Sequence, residues 1–400
     1  MRSLDFSRYA LSIGAAAALL AGCGGGSGTR LSPSPGGLAA ERTRPGVTYK
    51  VLYSFKDGSG DGEYPYAGLL NVKGTLYGTT SKGGANSDGT VFSITPSGTE
   101  TVLHSFGRSG DGIVPYAGLL NVKGTLYGTT LHGGTSGGDG TVFSITPSGT
   151  ETVRYSFGLY HNGAQPYAGL VNVMGTLYGT TFYGGARLDG IVFSMTPSAV
   201  ETVLYSFKGG SGDGQRPSAG LVNVKGTLYG TTLYDGASLD GTVFSITPSG
   251  TETVLHSFGG SGDGKYPYAG LLNVEGTLYG TTRGGGANPN GTVFSITPSG
   301  TETVLYSFKG GSADGQQPDA GLINVKGTLY GTTLYGGAND DGTVFSITPS
   351  GTETLLYSFK GGTQDGAVPY AGLVGINGAL YGTTSKGGAN SYGTVFSVTP

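Results

Sequence analysis

A five-residue phrase, Leu76-Tyr77-Gly78-Thr79-Thr80, returns along the chain with its tyrosine at positions 77, 127, 178, 229, 279, 330 and 381. Two further phrases keep step with it. Val91-Phe92-Ser93 recurs with its phenylalanine at 92, 143, 193, 244, 294, 345 and 396, and the Ser-Phe pair of Tyr53-Ser54-Phe55 with its phenylalanine at 55, 106, 157, 207, 258, 308 and 359. Each series has seven members spaced 50 or 51 residues apart, so one supersecondary unit is copied seven times. A unit of that size cannot bury its apolar surface alone and must stack against its neighbours. The 400-residue length therefore describes one ring or stack, not two or three ordinary domains.

Within a unit the pattern predicts four strands, at residues 67–72, 75–80, 90–95 and 100–106, all rich in Val, Ile, Thr, Tyr and Phe. The first two are joined by an X-Gly pair, Lys73-Gly74 in the first unit and Asn377-Gly378 in the last, the composition of a tight hairpin turn. Thr-Pro-Ser-Gly joins the last two, although Ser198-Ala199-Val200 lacks that glycine. Adjacent strand residues such as Val91 and Phe92 are both apolar, which suits sheets packed on both faces. Four strands repeated seven times predict an all-β chain folded as a seven-bladed β-propeller of antiparallel four-stranded blades. The repeats begin with a fourth-type strand at 48–55 and end with a third-type strand at 394–399. The leading strand is therefore expected to complete the last blade and close the ring without a free edge. An open solenoid would carry atypical polar caps, and none is present.

Composition excludes some partners and the amino-terminal segment suggests a location. Gly is 81 of 400 residues without a three-residue period, which is not collagen. Charged residues are 12% and the net charge is −3, so no basic face for nucleic acid is expected. One cysteine allows no internal disulfide. It follows Arg2, Arg8, an apolar run from Tyr9 to Leu20, and Ala21-Gly22. That run is too short to span a bilayer and suits the core of a signal peptide. Leu20-Ala21-Gly22-Cys23 resembles the bacterial lipobox. The resemblance implies cleavage before Cys23, lipid on its sulfur and a membrane-anchored, extracytoplasmic protein. The expected organisation is a signal peptide at 1–22, a lipidated Gly/Ser/Pro tether at 23–46 and the propeller at 47–400, as a monomer.

The unit Gly-Thr-Val-Phe-Ser-Ile-Thr-Pro-Ser-Gly-Thr-Glu-Thr-Val-Leu-Tyr-Ser-Phe, followed by Gly-Gly-Ser-Gly-Asp-Gly and Pro-Tyr-Ala-Gly-Leu-Leu-Asn-Val-Lys-Gly-Thr-Leu-Tyr-Gly-Thr-Thr, resembles the bacterial Gloeo/Verruco (GloVer) tandem repeat over residues 48–400. The resemblance implies an exported, surface-associated protein and transfers no catalytic residues. Double glycines such as Gly83-Gly84 are similar to those of kelch repeats, whose tryptophan is missing here.

In an up-and-down blade the second-to-third and fourth-to-first connections emerge on one face, and here those are the long loops, so one face is the candidate binding face. The fourth-to-first loops carry Asp61, Asp111, Asp213, Asp263, Asp314 and Asp365, with Asn162 in the remaining unit. A Pro-Tyr pair follows at Tyr66, Tyr116, Tyr167, Tyr268 and Tyr370, replaced by Ser218 and Asp319 in the other two units. These residues suit a ring of small sites, carboxylates accepting hydroxyl groups and tyrosines stacking on sugars. They also suit turn closure by Asp-Gly and packing of Tyr between blades, which is the favoured reading. Asp57-Gly58-Ser59-Gly60-Asp61-Gly62 has calcium-loop spacing, but Gly68 stands where the loop needs an acid. The histidines, His104, His132, His161 and His256, show no metal spacing, so no metal and no cofactor is expected. Glu100, Glu151, Glu201, Glu252, Glu302 and Glu353 are expected to charge solvent-facing blade edges. The repeat is broken at Arg154, Tyr160-His161-Asn162, Arg187, Arg216 and Arg283. The function expected is a non-catalytic binding scaffold for a protein or polysaccharide. A multivalent carbohydrate-binding module is the first alternative and an extracytoplasmic hydrolase or lyase the second. A central site with convergent His or Arg would favour the enzyme.

Overall fold

The computed structural model describes residues 46–135, 138–158 and 162–400. The signal segment, Cys23, the tether up to residue 45, Tyr160 and His161 lie outside the described residues. In the first blade Leu70–Val72, Thr75–Thr80, Thr90–Ile94 and Glu100–Ser105 pair antiparallel in that order, from the inside outward. The same four-stranded order appears seven times. Lys73 and Gly74 sit at φ 52° and 89°, which makes the tight hairpin a type I′ turn, and Asn71 Oδ1 accepts a hydrogen bond from Gly74 N at 2.9 Å.

The innermost strand is shorter than the expected 67–72, because residues 67–69 serve the ring and not the blade. A methyl group added to Gly68 would lie 3.2 Å from the carbonyl oxygen of Gly372. The same relation runs from Gly118 to Gly68, then through Gly169, Gly220, Gly270 and Gly321 to Gly372, at 3.0–3.6 Å. Seven glycine backbones thus meet around the axis, and at Gly68, Gly169, Gly270 and Gly372 a side chain would need the neighbouring backbone to give by a few tenths of an ångström, while at the other three it would make ordinary contact. Beside them, Thr79 Oγ1 donates to Ala117 O at 3.1 Å, joining the second strand of one blade to the innermost segment of the next. Thr129, Thr180, Thr231, Thr281 and Thr332 repeat the bond, and Thr383 donates to Ala67 O, bridging the last blade to the first.

A second set of contacts fills the wedge between blades. Phe106, at the end of one outer strand, packs edge-on against Phe143 of the next blade, with ring centroids 5.1 Å apart. Seven such pairs run around the ring, from Phe55–Phe92 to Phe359–Phe396, and every ring in them is 0–1% exposed. Burying a phenylalanine contributes about 1.5–3 kcal/mol, so this belt is the main apolar term between blades.

Thr48–Ser54 pairs with Thr394–Thr399, from Thr48 opposite Thr399 to Ser54 opposite Thr394, completing the seventh sheet. Its bulge falls between Val51 and Tyr53, the place at which the first outer strand bulges between the partners of Val91 and Phe92. The borrowed strand therefore reproduces the outer strand of every other blade. Deleting residues 47–55 should remove Phe55 from its pair with Phe92 and expose the edge of Thr394–Thr399. Aggregation or a melting temperature lower by more than 10 °C is expected in thermal denaturation. A deletion variant that melts like the parent would contradict strand closure.

Candidate functional site

The loop face is built of pinned backbone. Gly62–Glu63 pairs with Lys82–Gly83, tying the two long loops of the first blade together, and five other blades carry the same two-stranded patch. The third blade has the isolated bridge Ala164–Tyr183 in its place. Each fourth-to-first loop also bonds back to the preceding blade, as in Val114 N donating to Asp88 O at 2.8 Å and Tyr64 N to Tyr392 O at 2.9 Å. Among the described residues these backbone bonds tie the loops of neighbouring blades together, and loop length varies between blades by one residue.

The aspartates that are candidates for ligand binding are turned into their own loops, in keeping with the favoured reading of turn closure. Asp61 Oδ2 accepts from Tyr53 Oη at 2.8 Å and Lys56 N at 2.9 Å, while Oδ1 accepts from Gly62 N at 2.7 Å. Asp213, Asp314 and Asp365 repeat this pattern with Tyr205, Tyr306 and Tyr357. Asp111 and Asp263 meet His104 and His256 instead, each at 3.0 Å. Asn162 donates to Tyr155 Oη and accepts from Gly158 N at 3.4 Å. The calcium-like spacing around Asp61 is thereby occupied by backbone amides and a phenol. The structure does not bring these residues together with the Pro-Tyr tyrosines, because the aspartates bond to outer strands and the tyrosines line the axis.

The glutamates correct a second expectation. Glu100 and its equivalents do not edge the blades toward solvent; they are half-buried and face the Asp of the preceding interface, except Glu201, which accepts from Tyr155 Oη at 3.2 Å where Asn162 replaces the Asp. Glu100 Oε1, Glu151 Oε1, Glu201 Oε1, Glu252 Oε1 and Glu302 Oε1 are buried without a protein hydrogen-bond partner. Burial first, and the charge of the facing aspartate second, push the carboxyls of Glu100, Glu252 and Glu353 up to about 7.

The axis carries the asymmetry. Tyr66, Tyr116, Tyr167, Ser218, Tyr268, Asp319 and Tyr370 stand two residues before the seven axial glycines, one layer toward the loop face. Tyr66 stacks on Tyr116 at 4.8 Å and meets Tyr370 edge-on at 5.1 Å, and Tyr116 meets Tyr167 at 5.4 Å, so four consecutive blades form an aromatic arc. Burial, and after it the phenols of Tyr268, Tyr370, Tyr66 and Tyr167, push the Tyr116 hydroxyl well above the usual range, which shows the hydroxyl groups converging. The arc stops where Ser218 and Asp319 replace tyrosine. Ser218 Oγ donates to the Tyr268 carbonyl at 3.3 Å. Asp319 is 5% exposed and neither carboxylate oxygen has a hydrogen-bond partner in the protein. Arg283 Nη2 approaches Asp319 Oδ2 to 3.5 Å, and its guanidinium lies 5.6 Å over the Tyr268 ring. Burial pushes the Asp319 carboxyl up to about 7 against the opposing pull of Arg283. Sequence reasoning marked Asp319 and Arg283 as separate departures. Their pairing was missed because they come from neighbouring repeats, and the signal was that both replace neutral repeat residues beside the tyrosine layer. Of the other breaks, Arg216 covers Phe182 and Tyr183, and Arg154 Nη2 donates to Pro197 O at 2.8 Å beside Ala199, the residue in place of the turn glycine.

Fold and site together define a tandem-repeat β-propeller with a hydrogen-bonded loop face and one irregular axial layer. The chain belongs to the Gloeobacter/Verrucomicrobia repeat family, whose description matches residues 29–239 and 221–400. No curated protein matches the chain. Among solved structures, virginiamycin B lyase from Staphylococcus aureus is similar at 12% identity and a TM-score of 0.57, covering 88% of this chain and 99% of that one. A puromycin-hydrolyzing peptidase of Mycobacterium tuberculosis is similar at 10% identity and a TM-score of 0.48, covering 82% of this chain and 52% of that one. A europium-containing methanol dehydrogenase is similar at 10% identity and a TM-score of 0.47, covering 88% and 93%. At such identities the first likeness shows the fold alone.

The buried glutamates set a pH dependence. A Glu carboxyl that ionises near 4.5 when unfolded and near 7 when folded gives the folded state more bound protons between those values. Stability should accordingly fall as pH rises from 4.5 to 7. The triple variant Glu100→Gln, Glu252→Gln, Glu353→Gln should melt higher than the parent at pH 8 and show a flatter melting curve against pH. An unchanged slope would show that these carboxyls titrate normally.

Proposed function

We propose that this protein is a binding propeller that seats a hydroxyl-rich ligand, a saccharide unit of a larger polymer, on the axis of its loop face. The observation that carries the reading is Asp319, a buried carboxylate with both oxygens unbonded, set into a phenol-lined layer where the repeat would place tyrosine. A buried carboxylate with one long ion pair and no hydrogen bond costs free energy, and donated hydroxyl hydrogens would reduce that cost. Tyrosines 66, 116, 167, 268 and 370 supply stacking faces and hydroxyl groups in a chain that has no tryptophan. The candidate residues Asp61, Asp111, Asn162, Asp213, Asp263, Asp314 and Asp365 act on this reading as supports that hold the loops, and the tyrosines as the contact surface. One observation favours a hydrolase or lyase: a carboxyl held near 7 beside a guanidinium is suited to exchange protons at neutral pH.

Asp319→Tyr restores the repeat residue and should fold at least as stably as the parent, because it replaces a buried carboxyl without hydrogen bonds by the residue that five other blades carry there. On a glycan array, and by calorimetry with any saccharide found, the variant should lose at least tenfold in affinity. Affinity in the parent should rise with pH through about 7, as the carboxylate that accepts hydroxyl hydrogens forms, and Asp319→Asn should abolish that rise. A parent that binds no saccharide, or an Asp319→Tyr variant that binds as well, refutes the reading. Cleavage of the bound saccharide would move the protein to the enzymes.

The Leu20-Ala21-Gly22-Cys23 sequence supports a lipid anchor that holds the ring at the extracytoplasmic face of a bacterial membrane. Radiolabelled palmitate should enter the expressed protein and be lost in Cys23→Ser, with the variant released from the membrane fraction. Equal labelling of both would exclude Cys23 as the acceptor.

A further inference from the structure

The interface between neighbouring blades has one polar triad design, and two of its copies differ in a chemically specific way. In the usual form a tyrosine of the outer strand, an aspartate of the following loop and a glutamate of the next outer strand converge, as in Tyr53, Asp61 and Glu100. At two interfaces histidine replaces the tyrosine. His104, Asp111 and Glu151 then offer one nitrogen and two carboxylate oxygens, all within 4.8 Å of one another, and His256, Asp263 and Glu302 do the same three blades further on. We propose that these two triads are equivalent binding sites for a first-row divalent transition metal, zinc foremost, each joining two adjacent blades.

The donor set argues for the class of ion. One imidazole and two carboxylates are donor types that zinc takes, and three of them leave a fourth position for water, whereas magnesium and calcium favour oxygen. In both triads a histidine nitrogen already lies 3.0 Å from an aspartate Oδ2. The third ligand is in place but unbonded: Glu151 Oε1 and Glu302 Oε1 are buried and have no hydrogen-bond partner in the protein, as at Glu100, Glu201 and Glu252, so the histidine nitrogen is what sets these two triads apart. Zinc bonds of about 2.0–2.2 Å put tetrahedral ligand atoms about 3.4 Å apart, so a small side-chain adjustment closes the triad on an ion. The first site has an entry path, an open groove lined by His104, Asp111, Glu151 and Arg108. Gly260 stands where Arg108 does in the second copy, so the His256 site lacks that repulsive charge and should bind the more tightly. No spacing rule could find these sites, because the third ligand comes from the next repeat.

The other interfaces supply the controls. His104→Tyr and His256→Tyr each restore a residue that the same backbone accommodates at Tyr53, Tyr205 and Tyr306, so both variants should fold. Untagged, chelator-stripped protein should bind two zinc ions in calorimetry, each single variant one, and the double variant none. Zinc should raise the melting temperature of the parent by several degrees and leave the double variant unmoved. Cobalt in place of zinc should give visible absorption bands in the parent that weaken in Glu151→Gln and Glu302→Gln, variants that keep the side-chain shape. Absence of saturable binding below about 100 µM zinc would overturn the proposal. So would ions retained by the double variant, which would place them on His132, His161 or elsewhere.

Discussion

The structure depends on the bond that each blade makes to the next. A threonine hydroxyl of one blade donates to the alanine carbonyl beside the axial glycine of its neighbour, seven times, and the last of these joins Thr383 to Ala67 across nearly the whole chain. A buried hydroxyl without a partner would cost about 1–3 kcal/mol, so each interface must adopt the spacing that satisfies it. The glycines make that spacing reachable, since a side chain at Gly68 or Gly372 would press on the neighbouring backbone and push the blades apart. The phenylalanine pairs then fill the widening wedge outside. Closure is a consequence of this geometry: once six interfaces take the same angle, the seventh brings Thr394–Thr399 to the leading strand in matching register.

That dependence explains which parts of the protein were legible from the chain alone. Blade number, strand order and the borrowed strand follow from residues that recur at a fixed period, and the observed strands agree with the expected ones to within a residue or two except at the axis. Residues 67–69 escaped because their conformation is set by neighbouring blades, which no local pattern records. The glutamates were misplaced for the same reason. Glu100 looks like a charged start of an outer strand when read within its own unit, and becomes a buried partner of Asp61 only when two units meet. The tyrosine and aspartate positions were found as a set and then divided by the fold. Asp61 is held by Tyr53 at the outer strand, while Tyr66, five residues later, stacks at the axis.

Repetition also supplies its own reference state. At the axial layer five blades carry tyrosine on the same backbone, so tyrosine is a residue that the position accepts without rearrangement. Asp319 departs from it by placing a carboxyl in an apolar setting, with a guanidinium at 3.5 Å too distant to bond well. Desolvation of a carboxylate exceeds what one imperfect ion pair returns, and the upward shift of its ionisation to about 7 is the direct expression of that imbalance. A ring that tolerates such a local cost must hold its shape by the other interfaces.

The same comparison separates two kinds of departure from the repeat. Arg154 bonds to the carbonyl of Pro197 in the turn where Ala199, at φ 65°, has displaced glycine, so two breaks in adjacent units meet and satisfy each other. Such a pair is internal repair and asks for nothing outside the protein. Asp319 with Arg283, and Glu151 with His104 and Asp111, end in buried oxygen atoms that no protein group satisfies. Departures of this second kind leave polar atoms that the fold does not satisfy, at the axis and at blade interfaces, where Glu100, Glu201 and Glu252 carry the same buried oxygen without any histidine. Because the unmatched glutamate oxygen recurs at tyrosine interfaces, it is the histidine, and not the unsatisfied oxygen, that sets the His104 and His256 interfaces apart from their copies.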